Sequence, residues 1–210
     1  MLQRLQCMGL FSRLLGHPLV YDVVRPLVVG GVDMDPLFRS LESTERDVIV
    51  DIGCGTGVAL RHLRAFHRYL GIDPDPAAVA RARSRFGGDP RVRFEVGTAD
   101  PALIASLAPT RAVLAGVLHH VPDPDALAIL GLLRRTPSIA RIVTLDIVYL
   151  EHEPLSNALA ALDRGRFCRR REGYEGLARA AGWSVRQSSV VRSHPTRGRA
   201  LYLLMVPEPW

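Results

Sequence analysis

The sequence predicts an α/β domain with a mostly parallel sheet covered by helices on both faces. Strand patterns alternate with helical patterns along the chain, which is the order typical of parallel strands. The run at 48–50 is continuously apolar and β-branched, as in a strand buried on both faces. The 210 residues suffice for one such domain with a sizeable core and are too few for two. We therefore expect residues 1–210 to form a single domain.

The first strand leads into a glycine-rich turn in the stretch VIVDIGCGTG at 48–57. It leaves one carboxylate, Asp51, at its tip. Absent side chains at every second position then let the backbone turn sharply and approach a ligand; these positions are Gly53, Gly55 and Gly57. A helical pattern resumes over 58–66, so the turn is predicted at a helix N-terminus, where free N–H groups favour an anion. This layout indicates a nucleotide-cofactor site.

Three kinds of nucleotide loop compete for this stretch. A P-loop ends in Gly-Lys-Ser/Thr, and no lysine is present here, which nearly excludes it. A dinucleotide loop of the form Gly-x-Gly-x-x-Gly/Ala fits poorly, since its last position is Val58 counted from Gly53, or Leu60 counted from Gly55. The third possibility, an acidic residue followed by Gly-x-Gly-x-Gly, resembles the first motif of class I S-adenosylmethionine-dependent methyltransferases.

The resemblance extends to the next three strands. In GIDPDP at 71–76, Asp73 ends the second strand about twenty residues after the glycines, where an acidic side chain accepts ribose hydroxyl protons. The third strand, 91–96, precedes GTAD, and the resemblance implies that Asp100 bonds the adenine amine. The fourth strand, 112–115, precedes GVLHHVPDPD, which resembles the post-strand segment of many small-molecule methyltransferases. The motifs stand in the family's order and spacing.

The remaining elements complete a doubly wound sheet. Helices are predicted at 76–86, 101–107, 124–135 and 173–181, and strands at 141–146, 184–191 and 200–206. The fifth strand ends in another carboxylate, Asp146. The last two strands are separated by a turn short enough for a hairpin, so one strand is predicted antiparallel.

The resemblance implies a Rossmann-like sheet of seven strands, mostly parallel with one antiparallel strand in the C-terminal hairpin. It also implies S-adenosyl-L-methionine as the cofactor. The residues it assigns to cofactor binding are Asp51, Gly53, Cys54, Gly55, Gly57, Asp73, Pro74, Asp100, Gly116 and Val117.

Methyl transfer from a sulfonium needs mainly that the acceptor is held close, and a base only where the acceptor loses a proton. His119 and His120 follow the fourth strand and are the candidate catalytic residues, because histidine titrates in a useful range. The preferred base is His119, with Asp146 as a conceivable orienting partner. Alternatively, both histidines are structural: one packs beneath the cofactor and the other caps the next helix. For His120 we prefer this structural role to a catalytic one.

Two segments outside the common core are expected to select the acceptor. Residues 1–45 form either a helical lid, with Tyr21 and Arg25 as contacts, or a segment packed on the sheet edge. Residues 147–172 leave the carboxyl end of the fifth strand and should cover the acceptor pocket. Their candidate contacts, each alternatively a surface or capping residue, are Tyr149, His152 and Arg166. The motifs HPLVYD, GVLHHV and DRGRF together resemble a group of small bacterial methyltransferases of largely unassigned substrate.

Charge and cysteine content limit the partners. The net charge is +6, and arginines are densest at 163–171, a cluster that could bind phosphate or nucleic acid. A solvated turn or an anionic small substrate ranks ahead, because no RNA-binding module and no Asn/Asp-Pro-Pro-aromatic motif accompany the cluster. No apolar run is long enough for a membrane span. Three scattered cysteines predict neither a disulfide framework nor a metal site and favour the cytoplasm.

The sequence therefore predicts a monomeric or homodimeric methyltransferase that modifies an O, N or C atom of a small molecule. Two other classes remain open. One is a catalytically silent cofactor-binding or partner-docking module, since the fold hosts other roles. The other is a nucleic-acid methyltransferase, which would use Arg169, Arg170 and Arg171.

Overall fold

The computed structural model describes residues 33–162, 166–192 and 199–207. The strands are β1 (Val48–Ile52), β2 (Arg68–Asp73), β3 (Val92–Val96), β4 (Arg111–Ala115), β5 (Arg141–Tyr149), β6 (Arg169–Arg170), β7 (Trp183–Arg192) and β8 (Arg199–Pro207). The α-helices are α1 (Asp35–Leu41), α2 (Pro76–Phe86), α3 (Pro101–Leu107), α4 (Asp123–Arg134), α5 (Pro154–Leu162) and α6 (Arg171–Ala180). Two 3₁₀ helices span Val58–Arg61 and Leu118–His120.

The strands form one sheet in the order β3-β2-β1-β4-β5-β8-β7. The first five are parallel, whereas β8 runs antiparallel to both β5 and β7. The predicted fold, a mostly parallel doubly wound sheet with a C-terminal hairpin, is thus confirmed. An eighth strand, the two-residue β6, pairs with the end of β5.

Helices cover both faces because buried side chains alternate along each strand. In β1, Ile49 packs with α1 and α2, whereas Val50 packs with α3, α4 and α6. The second face includes the buried Trp183, whose indole N–H donates to Leu130 O. The described part of the N-terminal segment packs on the sheet through α1, with Leu37 fully inside.

Two elements differ from the sequence predictions. The helix predicted over 58–66 is wrong beyond its first turn, because only ten residues join Gly57 to Arg68 and a continuous helix would leave too few to reach the next strand. The fifth strand extends past Asp146 to Tyr149, since β8 and β6 supply backbone partners for the extra residues. Asp146 therefore lies within β5 and not at its end.

A buried carboxylate organises the amino-terminal edge of the sheet. Asp47 Oδ2 accepts hydrogen bonds from the Thr44 amide and hydroxyl at 2.7 and 2.8 Å. Its Oδ1 accepts from the Thr110 hydroxyl at 2.7 Å and lies 3.2 Å from an Arg111 guanidinium nitrogen. Burial alone would raise the pKa of Asp47, but these hydrogen bonds and the arginine together hold the pKa below its ordinary value.

None of the helices in the described part of the chain is long and apolar enough to cross a membrane.

We expect Asp47→Asn to lower the free energy of unfolding at neutral pH by about 1–3 kcal/mol. Because the folded-state pKa is lowered, the carboxylate stabilises the fold above its unfolded pKa of about 4, and this contribution disappears as pH falls through the folded value. Denaturant unfolding across pH 2–7 should therefore show a weaker acid dependence in the variant. Glu45→Gln, which removes an exposed carboxylate nearby, is the control. Equal acid dependence in both variants would contradict this role of Asp47.

Candidate functional site

The glycine turn is fixed against the end of β2. The amides of Gly53 and Cys54 both donate to Ile72 O, at 2.8 and 3.1 Å. The Gly55 amide donates to Asp73 Oδ2 at 2.8 Å. Positive φ angles explain the residue type at three positions, with φ of 71° at Gly53, 54° at Gly55 and 78° at Gly57.

The carboxylate predicted to close β2 lies at its carboxyl end. Asp73 Oδ1 accepts the Asp75 amide at 2.9 Å, so each carboxylate oxygen holds one backbone N–H. Each oxygen keeps a further lone pair for a ligand hydroxyl. The neighbouring Pro74 is exposed at the start of the connection to α2.

The loops after β1 and β4 meet at a point where a side chain is excluded. A Cβ on Gly53 would lie 2.6 Å from Val117 Cγ2. Gly116, with φ of 80°, begins the second loop, and its amide donates to Leu145 O at 2.7 Å. The two glycine-containing loops therefore form one surface.

A buried carboxyl and a buried tyrosine hydroxyl form a hydrogen-bonded pair beneath this surface. The Tyr69 hydroxyl donates to Asp51 Oδ2 at 2.5 Å, and the carboxyl is 2% exposed. Burial raises the pKa of Asp51 to about 7, although the Tyr69 hydrogen bond opposes this and the nearby Asp73 charge adds to it. Cys54 is also buried, and a Cβ on Gly71 would lie 2.8 Å from its Sγ.

Asp100 lies after β3, where it is the N-cap of α3. Its Oδ1 accepts the Leu103 amide at 2.8 Å, and the residue is exposed. One carboxylate oxygen is thus committed to the helix cap.

The loop after β4 carries a buried histidine–aspartate pair. His119 Nδ1 lies 2.8 Å from Asp146 Oδ1, and both side chains are 1% exposed. The His119 amide donates to the same oxygen at 3.1 Å. Because a carboxylate oxygen only accepts, the ring donates the proton of this hydrogen bond from Nδ1. The predicted pairing of these two residues is present in the structure.

His120 has the opposite environment. It is exposed, and its ring centroid lies 4.1 Å from that of His119, with 39° between the ring planes. The exposed ring is therefore backed by the buried one.

Arg169 connects the segment 166–170 to the loop after β4 that carries His119 and His120, which we call the histidine loop. The Arg169 side chain is only 10% exposed. It donates to Leu118 O at 2.6 Å, to Val121 O at 2.9 Å and to Asp123 Oδ1 at 2.6 and 2.8 Å. The Phe167 amide completes the connection by donating to His119 O at 3.0 Å.

Two further arginines of the basic cluster have partners within the chain. Arg170 pairs with Glu151, and Arg171 donates to Ser188 O at 3.3 Å. Within the cluster predicted as a possible anion-binding surface, the three consecutive arginines at 169–171 thus have internal partners, whereas Arg166 is exposed.

The acceptor contacts predicted from sequence fall into two groups. Tyr149 is half-buried at the end of β5, where its backbone pairs with Arg170. His152, with φ of 61°, lies exposed in the turn after β5, and Arg166 is exposed beside the histidine loop. Tyr21 and Arg25 lie outside the described residues.

Apolar side chains are also exposed at this edge. The exposed large hydrophobic residues in the described part of the chain are Val58, Val96, Leu155 and Phe167. Val58 and Leu155 follow β1 and β5, Val96 ends β3, and the Phe167 amide bonds to the loop after β4, so all four lie at the carboxyl edge of the sheet. This edge therefore offers apolar area beside its polar groups.

Sequence reasoning missed Tyr69 and the clamping role of Arg169. A buried tyrosine hydroxyl needs a partner, and Tyr69 aligns with Ile49, two residues before Asp51 on the same face. That signal required the strand register. Arg169 stands in a run of like residues, and only its tertiary contacts distinguish it.

The sequence was compared with protein families and with curated proteins. Residues 49–136 match the family model described as a methyltransferase domain. This part of the chain is therefore similar to a methyltransferase domain. The predicted resemblance to class I S-adenosylmethionine-dependent methyltransferases is confirmed, together with the enzyme class and S-adenosylmethionine as cofactor. A silent module is not favoured. No curated protein matches the chain.

Solved methyltransferase structures share the fold. The Haloferax volcanii complex of the Trm112 methyltransferase activator with a methyltransferase matches at 19% identity and a TM-score of 0.64, covering 83% of this chain and 88% of that one. The Streptomyces davawensis N,N-8-amino-8-demethyl-D-riboflavin dimethyltransferase matches at 21% identity and a TM-score of 0.64, covering 94% of this chain and 62% of that one. Human N-acetylserotonin methyltransferase in complex with SAM matches at 18% identity and a TM-score of 0.60, covering 84% of this chain and 52% of that one. The chain thus spans little more than half the length of the last two.

The residues present fit the cofactor. A Cβ at Gly57 would lie 3.0 Å from ring atoms of Phe86 and Phe94, whereas a Cβ at Gly55 would project into open space, as expected where a ligand lies over the turn. The buried Asp51 Oδ1 has no hydrogen-bond partner within the described ranges. In those same ranges no three histidine, cysteine, aspartate or glutamate side chains are grouped as metal ligands.

Gly53→Ala should abolish the thermal stabilisation of this methyltransferase by S-adenosylmethionine. The change forces a positive φ on alanine and displaces Val117. Ligand at a hundredfold its Kd should stabilise the wild type by about 2.7 kcal/mol. Gly88→Ala, with open space around the new Cβ and no positive φ, should keep the full shift. A full shift in Gly53→Ala would contradict the assignment of this turn to the cofactor.

Arg169→Lys should lower the free energy of unfolding by about 1–3 kcal/mol, because an ammonium cannot reach two carbonyls and a carboxylate together. Arg170→Lys alters an exposed pair and should cost under about 0.5 kcal/mol. Histidine-selective NMR should show displaced His119 and His120 signals only in Arg169→Lys. Unchanged signals there would show that Arg169 does not position the histidine loop.

Proposed function

We propose that this protein transfers the methyl group of S-adenosylmethionine to a small-molecule acceptor. The observation that carries the proposal is the meeting of three elements at one edge of the sheet. These are the glycine turn after β1, Asp73 at the end of β2 and the His119–Asp146 pair between β4 and β5. An open α/β sheet binds its ligands at this edge.

The cofactor is proposed to lie over the glycine turn. Asp73 accepts the ribose hydroxyls through the lone pairs that its two backbone bonds leave open. Asp100 accepts the adenine amine through the oxygen not used by the α3 cap. The turn and its neighbours supply the remaining contacts, from Asp51, Gly53, Cys54, Gly55, Gly57, Pro74, Gly116 and Val117. When bound, S-adenosylmethionine supplies an electrophilic methyl group on a positively charged sulfur.

The acceptor is proposed to bind between the histidine loop and the segment 166–170. His120 is the exposed ring of the pair and meets the acceptor, taking its proton where the nucleophile must lose one. His119, fixed by Asp146, supports that ring from below. Phe167 and Leu155 supply apolar contact, and Tyr149, His152 and Arg166 supply polar contact.

A small molecule is favoured over nucleic acid as the substrate. Phosphate binding by the basic cluster would need free guanidinium groups. Arg169 is held by Asp123, and Arg170 is held by Glu151. The exposed apolar residues at this edge also suit an organic acceptor better than a phosphate backbone.

The cellular compartment is proposed from the cysteine content. The three cysteines are widely separated in sequence, with no paired spacing, which favours a reducing cytoplasm. A monomer or homodimer is the proposed assembly. Sedimentation of the purified protein tests the latter directly.

The acceptor search should use cofactor with a trideuterated methyl group and a metabolite extract. Mass spectrometry should find a small molecule that carries the labelled methyl group, and Gly53→Ala should not form it. Label in RNA or DNA would instead support a nucleic-acid substrate. Cofactor binding without any labelled product would support a silent module.

His120→Gln should reduce kcat about 10²-fold for an acceptor that loses a proton, while the Kd for the cofactor stays unchanged. His67→Gln, which changes an exposed histidine at the opposite edge of the sheet, is the control and should keep the wild-type kcat. An unchanged kcat in His120→Gln would exclude His120 as the base.

A further inference from the structure

The Tyr69–Asp51 pair lies where the charge of a bound cofactor would act on it. Asp51 directly precedes the glycine turn, and its Oδ2 accepts the Tyr69 hydroxyl at 2.5 Å. Tyr69 is 1% exposed and Asp51 is 2% exposed. The second carboxyl oxygen, Oδ1, is buried with no hydrogen-bond partner in the described part of the chain. The fold thus places an incompletely satisfied carboxyl under the cofactor surface.

Some surroundings of the Asp51 carboxyl disfavour its ionisation, and one neighbour favours it. Burial is the largest influence and raises the pKa of Asp51 to about 7; the Tyr69 hydroxyl lowers it and the Asp73 charge raises it. Cys54 stays a neutral thiol because burial, Asp51 and Asp73 all raise its pKa. On the other side β4 places Val113 beside Asp51. The helices on this face present apolar residues to the sheet: Leu37, Leu41, Val79 and Ala82.

We propose that binding of S-adenosylmethionine releases the proton of Asp51, and that Tyr69 is the positioning residue that keeps the carboxyl ready to ionise. The O–H bond of the carboxyl breaks, the proton goes to solvent, and the carboxylate retains the Tyr69 hydrogen bond. The sulfonium charge favours the carboxylate, because an opposite charge in a poorly solvated site interacts strongly. This inference rests on the proposed place of the cofactor over the glycine turn and does not depend on the acceptor.

The choice of a tyrosine matters for this coupling. A lysine or arginine at the same place would hold Asp51 ionised in every state. A hydroxyl stabilises the carboxylate without adding a charge, so the cofactor itself supplies the missing positive charge.

The coupling distinguishes the cofactor from its product. Methyl transfer converts the sulfonium into a neutral thioether, so S-adenosylhomocysteine brings one positive charge fewer to the site. Asp51 then regains its proton more readily, and the product is held less tightly than the cofactor. The pair would thereby aid release of the product after each transfer.

Calorimetric titration of the full chain with S-adenosylmethionine and with S-adenosylhomocysteine, from pH 5.5 to 8.5, tests this. The Kd for S-adenosylmethionine should be level above pH about 7 and rise about tenfold per pH unit below it. Buffers of different ionisation enthalpy should reveal the released proton. The product should show a smaller slope and release fewer protons.

Three variants isolate the pair. Asp51→Asn retains only the ligands' own titration, so its slope is the baseline for the wild type. Tyr69→Phe should move the midpoint to higher pH, because the hydroxyl opposes the raised pKa of Asp51. Tyr174→Phe removes a hydroxyl bonded to Ile147 O at 2.7 Å on the other face of the sheet, and should leave the midpoint unchanged.

A measurement on the wild type alone guards against variants that do not fold. Difference infrared spectra at pH 6 should show a protonated carboxyl band that S-adenosylmethionine removes. A wild-type slope equal to that of Asp51→Asn, or a carboxyl band unaffected by the ligand, would overturn the coupling and leave the cofactor assignment intact. No binding of either ligand at any pH would overturn both.

Discussion

The parallel pairing of β1 with both β2 and β4 is the constraint on which the rest of the site depends. Because β1 lies between them, the chain leaves β1 toward one side of the sheet and later continues from β4 on the other. The connections diverge at such a point and leave a crevice beyond the strand ends. The glycine turn follows β1 and the histidine loop follows β4, so their separation is set by the spacing of two hydrogen-bonded strands. The contact between Gly53 and Val117 marks where the loops meet.

The alternation of side chains gives this edge two different buried carboxyls. Asp51 faces the helices α1 and α2, whereas Asp146 faces α4 and α6, on the same side as Ile142 and Val148. Asp51 meets a hydroxyl and Asp146 meets an imidazole. A hydroxyl brings no charge, so the first carboxyl responds to whatever charge a ligand brings. An imidazole held through Nδ1 has a fixed orientation and tautomer, so the second carboxyl determines geometry.

The order and type of most elements could be predicted because the signals for them lie in residues close together in the sequence. A β-branched run, a glycine triplet with positive φ angles and a carboxylate ending β2 each need only their neighbours in sequence. The predictions that failed depend on distant partners. The helix after Gly57 ends early because of the distance to the next strand, and β5 extends because β8 and β6 pair with it. Likewise His119 and His120 are adjacent in sequence, and the buried one is the one that bonds to Asp146, a residue of another strand.

The two halves of the site are connected to the fold in different ways. The cofactor half is held by bonds within the β1–β2 unit, from the glycine turn to Ile72 and Asp73. The histidine loop, where we propose that the acceptor binds, is held between segments far apart in sequence, because Arg169 satisfies carbonyls of that loop and so connects it to 166–170. A change in the segment 166–170 therefore reaches the histidine loop through Arg169 and the Phe167 amide but leaves the glycine turn in place. On the proposed function, the acceptor contacts could therefore change while the glycine turn is retained, since no bond of the glycine turn described above reaches the segment 166–170.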